Sequence, residues 1–144
     1  MSVKQISVFL ENRPGTLNEM TKILADNKID MRALSVSETK DFGIARIIVD
    51  DVYEATNVLK EADFVASLSP VLAYAIPDEP GGLNNLLELF TAAGVNIEYM
   101  YAFLGSKDTK HAYMIFRVAD TKAAEAALSG KGLKTLTQED IAEI

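Results

Sequence analysis

Residues Glu11-Asn12-Arg13-Pro14-Gly15-Thr16-Leu17 stand between an alternating, strand-like run and a helix-like run. The pattern returns, altered, as Pro77-Asp78-Glu79-Pro80-Gly81-Gly82-Leu83, an offset of 66 residues from Pro14 to Pro80. The offset holds without a gap into the run behind. Leu17 maps to Leu83, Asn18 to Asn84, Ile23 to Leu89, Leu24 to Phe90, Ile29 to Val95 and Asp30 to Asn96. Self-similarity at a fixed spacing marks one structural unit used twice. Each copy reads strand, Pro-Gly turn, helix, strand.

Outward from the first turn, residues 4–11 alternate. Ile6, Val8 and Leu10 point one way; Gln5, Ser7, Phe9 and Glu11 point the other, as in a half-buried strand. Pro14 suits a first helical position, because it lacks a donor and its φ is already set. Leu17, Met20, Ile23 and Leu24 then recur with helical spacing as one apolar face, and Asn27-Lys28 ends the helix. A second strand is predicted over 30–37, with Met31, Ala33 and Ser35 on one face. A hairpin turn is predicted at Lys40-Asp41-Phe42-Gly43 and a third strand over 44–49. Asp51 opens a second helix as its cap, with Glu54 placed to reach back to the Asp51 amide. Val52, Ala55, Val58 and Leu59 supply its buried face. A short fourth strand is predicted over 64–68.

Ser69-Pro70 is the candidate linker, and the second copy begins at once. Strands are predicted over 71–76, 96–104 (carrying Tyr99, Tyr101 and Phe103), 111–118 and 133–136. Leu83, Leu86, Leu87 and Phe90 form the face of its first helix, stopped by Gly94. Asp120 caps its second helix, which Gly130-Lys131-Gly132 breaks. Thr137 caps a short terminal helix. The order β-α-β-β-α-β is the split βαβ, ferredoxin-like motif, an antiparallel sheet with two helices on one face. The expected fold is α+β: two such units in tandem, residues 1–69 and 70–144. Alone, a unit of about seventy residues has a marginal core. The copies are therefore expected to pack on each other, by sheet extension or face to face. The second copy's aromatic strand is the expected contact surface.

The bulk numbers narrow the function. At 144 residues a compact chain buries roughly 70% of its unfolded surface. Hydrophobic residues are 49% and charged residues 24%, ordinary for a globular protein. The net charge of −7 repels phosphate backbones and anionic membranes, which argues against nucleic acid and lipid partners. Cysteine is absent, which removes disulfides, thiolate chemistry and cysteine metal sites. The N-terminus has no apolar signal-like core, and no run reaches the ~18 apolar residues of a membrane span. A cytoplasmic location is expected.

Catalytic signals are weak. His111 is the single histidine, and no G-x-S-x-G turn accompanies it. It reads as an exposed or edge-strand residue. Asp50-Asp51 reads as a helix cap, and nothing nearby supports Asp78-Glu79 as an acid–base pair. Metal-ligand spacings, phosphate loops and dinucleotide loops are all missing from the sequence. No cofactor and no metal are expected. Binding is better supported. At both Pro-Gly turns the first amides of a helix lack intrahelical partners, and with the helix dipole they favour an anion such as a carboxylate. Glycine leaves the approach open, and the Asn12 carboxamide both donates and accepts. A tight strand-to-helix turn with no ligand is the alternative reading of the same residues.

At these residues the chain resembles the ACT domain family, small regulatory modules that bind amino acids in biosynthetic enzymes. The resemblance runs through Glu11–Leu17 and Lys28-Ile29-Asp30-Met31, and again through Asp78–Leu83 and Gly94-Val95-Asn96-Ile97. It covers nearly the whole chain as two tandem units, and the chain is similar to stand-alone tandem ACT proteins without a catalytic domain. The resemblance implies a non-enzymatic regulator, a homodimer, a free amino acid as ligand at interfaces between ACT units, and a regulated enzyme as partner. It also implies site residues. Asn12 would hold the ligand's polar group, with Pro14, Gly15, Thr16 and Leu17 forming the turn and its backbone contacts. Asp78, Pro80, Gly81, Gly82 and Leu83 would play these parts in the second unit, with Asn96 and Ile97 at the start of its next strand. Asp78 in place of Asn12 attracts an ammonium but repels a carboxylate, so unequal sites are expected. Gly82 in place of Thr16 lets backbone or ligand come closer. A ligand-free dimerisation module is the competing reading.

Overall fold

The computed structural model describes residues 2–38 and 41–144. In chain order these form β1 (Val3–Glu11), α1 (Thr16–Asp26), β2 (Met31–Glu38), β3 (Phe42–Val49), α2 (Val52–Glu61) and β4 (Val65–Pro77). They continue as α3 (Gly82–Ala92), β5 (Tyr99–Ala102), β6 (His111–Arg117), α4 (Thr121–Leu128), β7 (Lys134–Thr135) and α5 (Gln138–Glu143). The chain divides into two compact units. One is Lys4–Ser69; the other is Pro70–Ile144 together with the N-terminal residues through Val3.

In the Lys4–Ser69 unit the strand order is β2-β3-β1-β4, the ferredoxin-like order expected from β-α-β-β-α-β. β1 and β3 are antiparallel, with Ile6 opposite Ile47 and Val8 opposite Ala45. Opposed residues share a face. Ile6, Val8, Leu10, Ala45, Ile47 and Val49 therefore meet Met20 and Leu24 of α1 and Ala55, Val58 and Leu59 of α2 in one core. Leu17, predicted to face that core, is 38% exposed, and Thr16 is buried instead. The buried positions Thr16, Met20 and Leu24 recur every four residues, which leaves Leu17 at the edge of that face, and α1 begins at Thr16 and not at Pro14. The other face of β1 also departs from expectation. Gln5 is fully buried, and its amide donates to Ser7 Oγ at 3.2 Å.

A register shift between Met31 and Ala33 interrupts the alternation of β2. Met31 and Leu34 both pack on the core as a result, whereas strict alternation puts Met31 and Ala33 on one face. A β-bulge does this by adding an unpaired residue to one strand. The predicted hairpin turn gives up its last two residues to the strand that follows. Phe42 and Gly43 already belong to β3, opposite Glu11 and Leu10, and Lys40 lies outside the described residues. The cap of α2 is Asp51, which accepts from the Glu54 amide at 3.0 Å. Asp50, not the Glu54 side chain, takes the Asp51 amide (2.8 Å) and also holds the Asp30 amide (3.0 Å).

Three helices end alike. Lys28, Asp63 and Gly94 adopt positive φ. The next amide in each case, of Ile29, Phe64 or Val95, returns to the carbonyl five residues back, which is the Schellman closure.

In the other unit the order is β5-β6-β4, with β7 on the far side of β4. Leu72, Tyr74, Ile76 and Phe116 pack on Leu86 and Phe90 of α3 and on Ala124 and Leu128 of α4. Phe90 and Phe116 rings lie 4.9 Å apart. The predicted linker Ser69-Pro70 is not a loop. It lies inside β4, because proline holds its predecessor in extended conformations and the Pro70 carbonyl accepts from Arg117 Nη1 at 2.8 Å. The aromatic strand predicted over 96–104 is only Tyr99–Ala102, and the final strand only Lys134–Thr135. Asp120 caps α4 through the Ala123 amide, and Thr137 and Asp140 form a reciprocal capping box on α5.

Candidate functional site

The two Pro-Gly stretches fold into the same turn. Thr16 N–H points to the Arg13 carbonyl at 3.5 Å, and Gly82 N–H to the Glu79 carbonyl at 3.1 Å. Gly15 (φ 91°, ψ −13°) and Gly81 (φ 86°, ψ −8°) occupy the third position. Proline second and a positive-φ glycine third define a type II turn. A Cβ on either glycine would meet no atom within 4 Å, so both turns face open space.

Their helix starts set α1 and α3 apart from the other helices. Asp51, Asp120 and Thr137 cap α2, α4 and α5 with their side chains. Neither α1 nor α3 has a side-chain cap. Glu19 and Asn85 amides reach back to the Gly15 and Gly81 carbonyls at 2.9 Å. The amides before them, of Leu17 and Asn18 and of Leu83 and Asn84, have no partner among the described residues. Donors of this kind at a helix start suit an anion.

The flanking residues make the turns unequal. Asn12 and Asp78 are both exposed. The Asn12 amide donates to the Asp41 carbonyl at 3.3 Å and the Asp78 amide to the Lys110 carbonyl at 2.9 Å. Thr16 is buried and its hydroxyl donates to the Arg13 carbonyl at 3.1 Å. Gly82, its counterpart, is buried too, against the Pro77 carbonyl. The close approach that Gly82 permits is thus taken by the chain's own backbone. Asn96 and Ile97 are not brought to this turn. They come after α3 and precede β5. Eleven helical residues at 1.5 Å each, about 16 Å, separate the two ends. Asn96 borders a separate groove of about 420 Å³ with Val118 and Asp120.

Beside the first turn lies a cleft of about 650 Å³ within the Lys4–Ser69 unit. Leu10, Thr16 and Phe64 line it from the core side, and Phe9, Phe42 and Val65 from the surface side. Its rim carries Glu11, Arg13, Glu19 and Asp63. Thr16 is the one predicted site residue on its wall. Sequence reasoning passed over Arg13, although it sits inside the repeated stretch. Phe42 and Phe64 lie too far along the chain for spacing to associate them with it.

His111 is not on an edge. Its strand, β6, runs between β5 and β4. Its Nδ1 lies 2.6 Å from Asp108 Oδ2, and the Tyr113 hydroxyl donates to the same oxygen at 3.1 Å. The Lys110 amide, then His111 and Tyr113, hold the Asp108 carboxyl down at about 2. The Ser106 hydroxyl donates to the Asp108 carbonyl, so it does not complete a nucleophilic triad with His111. Among the described residues no three His, Cys, Asp or Glu side chains gather to hold a metal.

The two matching turns on two ferredoxin-like units decide the relationship, and comparison agrees: the profile of a family described as an ACT domain pair matches residues 1–144. The chain belongs to the ACT domain pair family. A solved structure of protein BT0572 from Bacteroides thetaiotaomicron is similar to this ACT pair at 35% identity, over 100% of this chain and 98% of that one, with a TM-score of 0.91. The regulatory subunit of aspartate kinase from Thermus thermophilus, in a ligand-free form, matches at 20% identity over 87% of each chain, with a TM-score of 0.62. That from Thermus flavus matches at 18% identity over 87% and 89%, with a TM-score of 0.58. These last two share the fold of the ACT pair. No curated protein matches it. Among the described residues, no helix is long and apolar enough to cross a membrane.

Proposed function

We propose that this ACT pair is a non-catalytic regulatory protein. It binds a free α-amino acid at its Pro-Gly turns and passes the occupancy to a regulated enzyme, acting as a homodimer in the cytoplasm. One observation carries the reading. Of the five helices among the described residues, the two behind Pro-Gly turns are the two without side-chain caps. Capping is worth about 1 kcal/mol, and the chain uses it wherever no ligand is called for. An amino acid supplies the missing acceptor through its carboxylate, while Asn12 or Asp78 faces its polar groups. The likeness to aspartate kinase regulatory subunits supports a regulatory role.

A ligand of about ten heavy atoms reaches ~micromolar to millimolar affinity, and its coupling to a partner is worth ~1–3 kcal/mol. The test is a thermal-shift screen of the full chain against the twenty free amino acids, with calorimetry on each hit. At a hundredfold excess over Kd, ligand stabilises the native state by about 2.7 kcal/mol, a readily measured rise in Tm. No shift with any amino acid at millimolar concentration would replace this reading with that of a ligand-free dimerisation module.

A further inference from the structure

The cleft beside the first turn carries more than the turn does. Its volume of about 650 Å³ falls within the range of small-molecule sites, roughly 300–1,000 Å³. Its wall is mostly carbon. Phe9 and Phe42 stand with ring centroids 6.3 Å apart, and both are more than 40% exposed. Large apolar side chains left in water gain when something apolar covers them.

The rim is charged in a specific pattern. Among the described residues Arg13 is its one cation, and Glu11, Glu19 and Asp63 are its anions. Arg13 Nε donates to Glu11 Oε2 at 3.0 Å, which fixes the plane of the guanidinium. Its other edge, Nη1 and Nη2, faces the two Glu19 oxygens, both at 3.4 Å. Charge-assisted bonds of good geometry are about 2.7–2.9 Å, so this fork is loosely filled. Exposed pairs of this kind contribute little to stability. A ligand carboxylate therefore displaces Glu19 from the fork at small cost.

We propose that this cleft binds a free α-amino acid with a large apolar side chain, aromatic or branched aliphatic. Arg13 holds its carboxylate beside the open amides of the first turn, Glu19 and Asp63 face its ammonium, and its side chain covers Phe9 and Phe42. The proposal rests on the amino-acid reading above and names the ligand class for the first turn. A second carboxylate on the ligand would meet the rim's anions. A second cation would have to leave water for a wall of rings and aliphatic carbons. The second turn does not repeat the arrangement. Sixty-six residues on, Glu79 stands where Arg13 does and Ala75 where Phe9 does. Its charge is reversed and its ring is missing, so this site belongs to the Lys4–Ser69 unit.

The experiment is calorimetry of the full chain with L-phenylalanine, L-leucine, L-aspartate and L-lysine. The chains compared are wild type, Arg13→Gln, Phe42→Ser and Glu79→Gln. All three substituted residues are exposed, and each variant's unaltered melting curve establishes that it folds. Phenylalanine or leucine is expected to bind at least tenfold more tightly than aspartate or lysine. Arg13→Gln is expected to weaken that binding by about ten- to a hundredfold, as for loss of a hydrogen bond to a charged group. Phe42→Ser weakens it as well, and Glu79→Gln leaves it unchanged. Tighter binding of aspartate or lysine overturns the ligand class. Amino-acid binding that neither Arg13→Gln nor Phe42→Ser weakens overturns the cleft as the site. Both results leave the general amino-acid reading standing, whereas no binding by any amino acid overturns the two together.

Discussion

A Cβ built on Gly82 would lie 2.2 Å from the carbonyl oxygen of Pro77. No side chain fits at that distance, and the obstacle is backbone, which yields only if the turn opens. Gly82→Ala is therefore expected to destabilise the chain by about 1–3 kcal/mol, as overpacking does. Gly105→Ala is the control, because a Cβ there would meet nothing within 4 Å. Denaturant melts of the two variants check this. Equal stability of both would mean that the turn relaxes freely.

Asn12 is exposed at the first turn, and its carboxamide has no partner among the described residues. Asn12→Ala is expected to leave stability within about 0.5 kcal/mol of wild type, as for a surface change. Affinity for the amino acid should fall about tenfold, the loss of one hydrogen bond to a charged group. Calorimetry on the variant measures both quantities. Unchanged affinity removes Asn12 from the site.

Asp108 gathers the Lys110 amide, His111 Nδ1 and the Tyr113 hydroxyl. Together these hold its carboxyl at about 2, below the ordinary 3.8. A carboxyl depressed in the folded state stabilises it above the unfolded value, and that stability disappears as pH falls through the folded one. The melting temperature of wild type is expected to exceed that of Asp108→Asn above about pH 4, where an unfolded aspartate is ionised. The gap should close as pH falls to about 2. A gap that persists below that pH would show that the effect does not come from ionisation.

Tyr74 is buried against Phe90 and Phe116. Burial, with the Glu125 carboxylate adding to it, raises its phenol to about 12. An unfolded tyrosine ionises near 10. Stability is therefore lost as pH rises from about 10 through about 12, where only the unfolded chain gives up this proton. Tyr74→Phe is expected to flatten that alkaline decline. Thermal melts over this range, with phenolate absorbance as a second readout, check it.

Much of the architecture was legible because it is local. Alternation in Ile6, Val8 and Leu10, and the helical spacing of Met20 and Leu24, depend only on periods of about two and 3.6 residues. The turns were legible as turns for the same reason, although Pro14 was expected at the first helical position and lies instead second in a type II turn. The Asp51, Asp120 and Thr137 caps act within three residues of themselves.

Other features needed the third dimension. Ser69-Pro70 looks like a break, yet an extended proline continues a strand when a neighbour donates to its carbonyl, here Arg117. Strict alternation in β2 missed the bulge after Met31, because a bulge is defined by the partner strand. Glu54 was the expected partner of the Asp51 amide. Asp50 takes it, placed between the Asp30 and Asp51 amides by the strand pairing.

By itself, then, the sequence determined the repeat, the element types, the two Pro-Gly turns and the family, since each rests on neighbours along the chain. Tertiary structure alone decided that Arg13 meets Phe42 and Phe64 around one cleft, and that the space at Gly82 belongs to Pro77. The physical reason is range: sheet register and helix packing join residues tens of positions apart, and no local periodicity encodes which of them will touch.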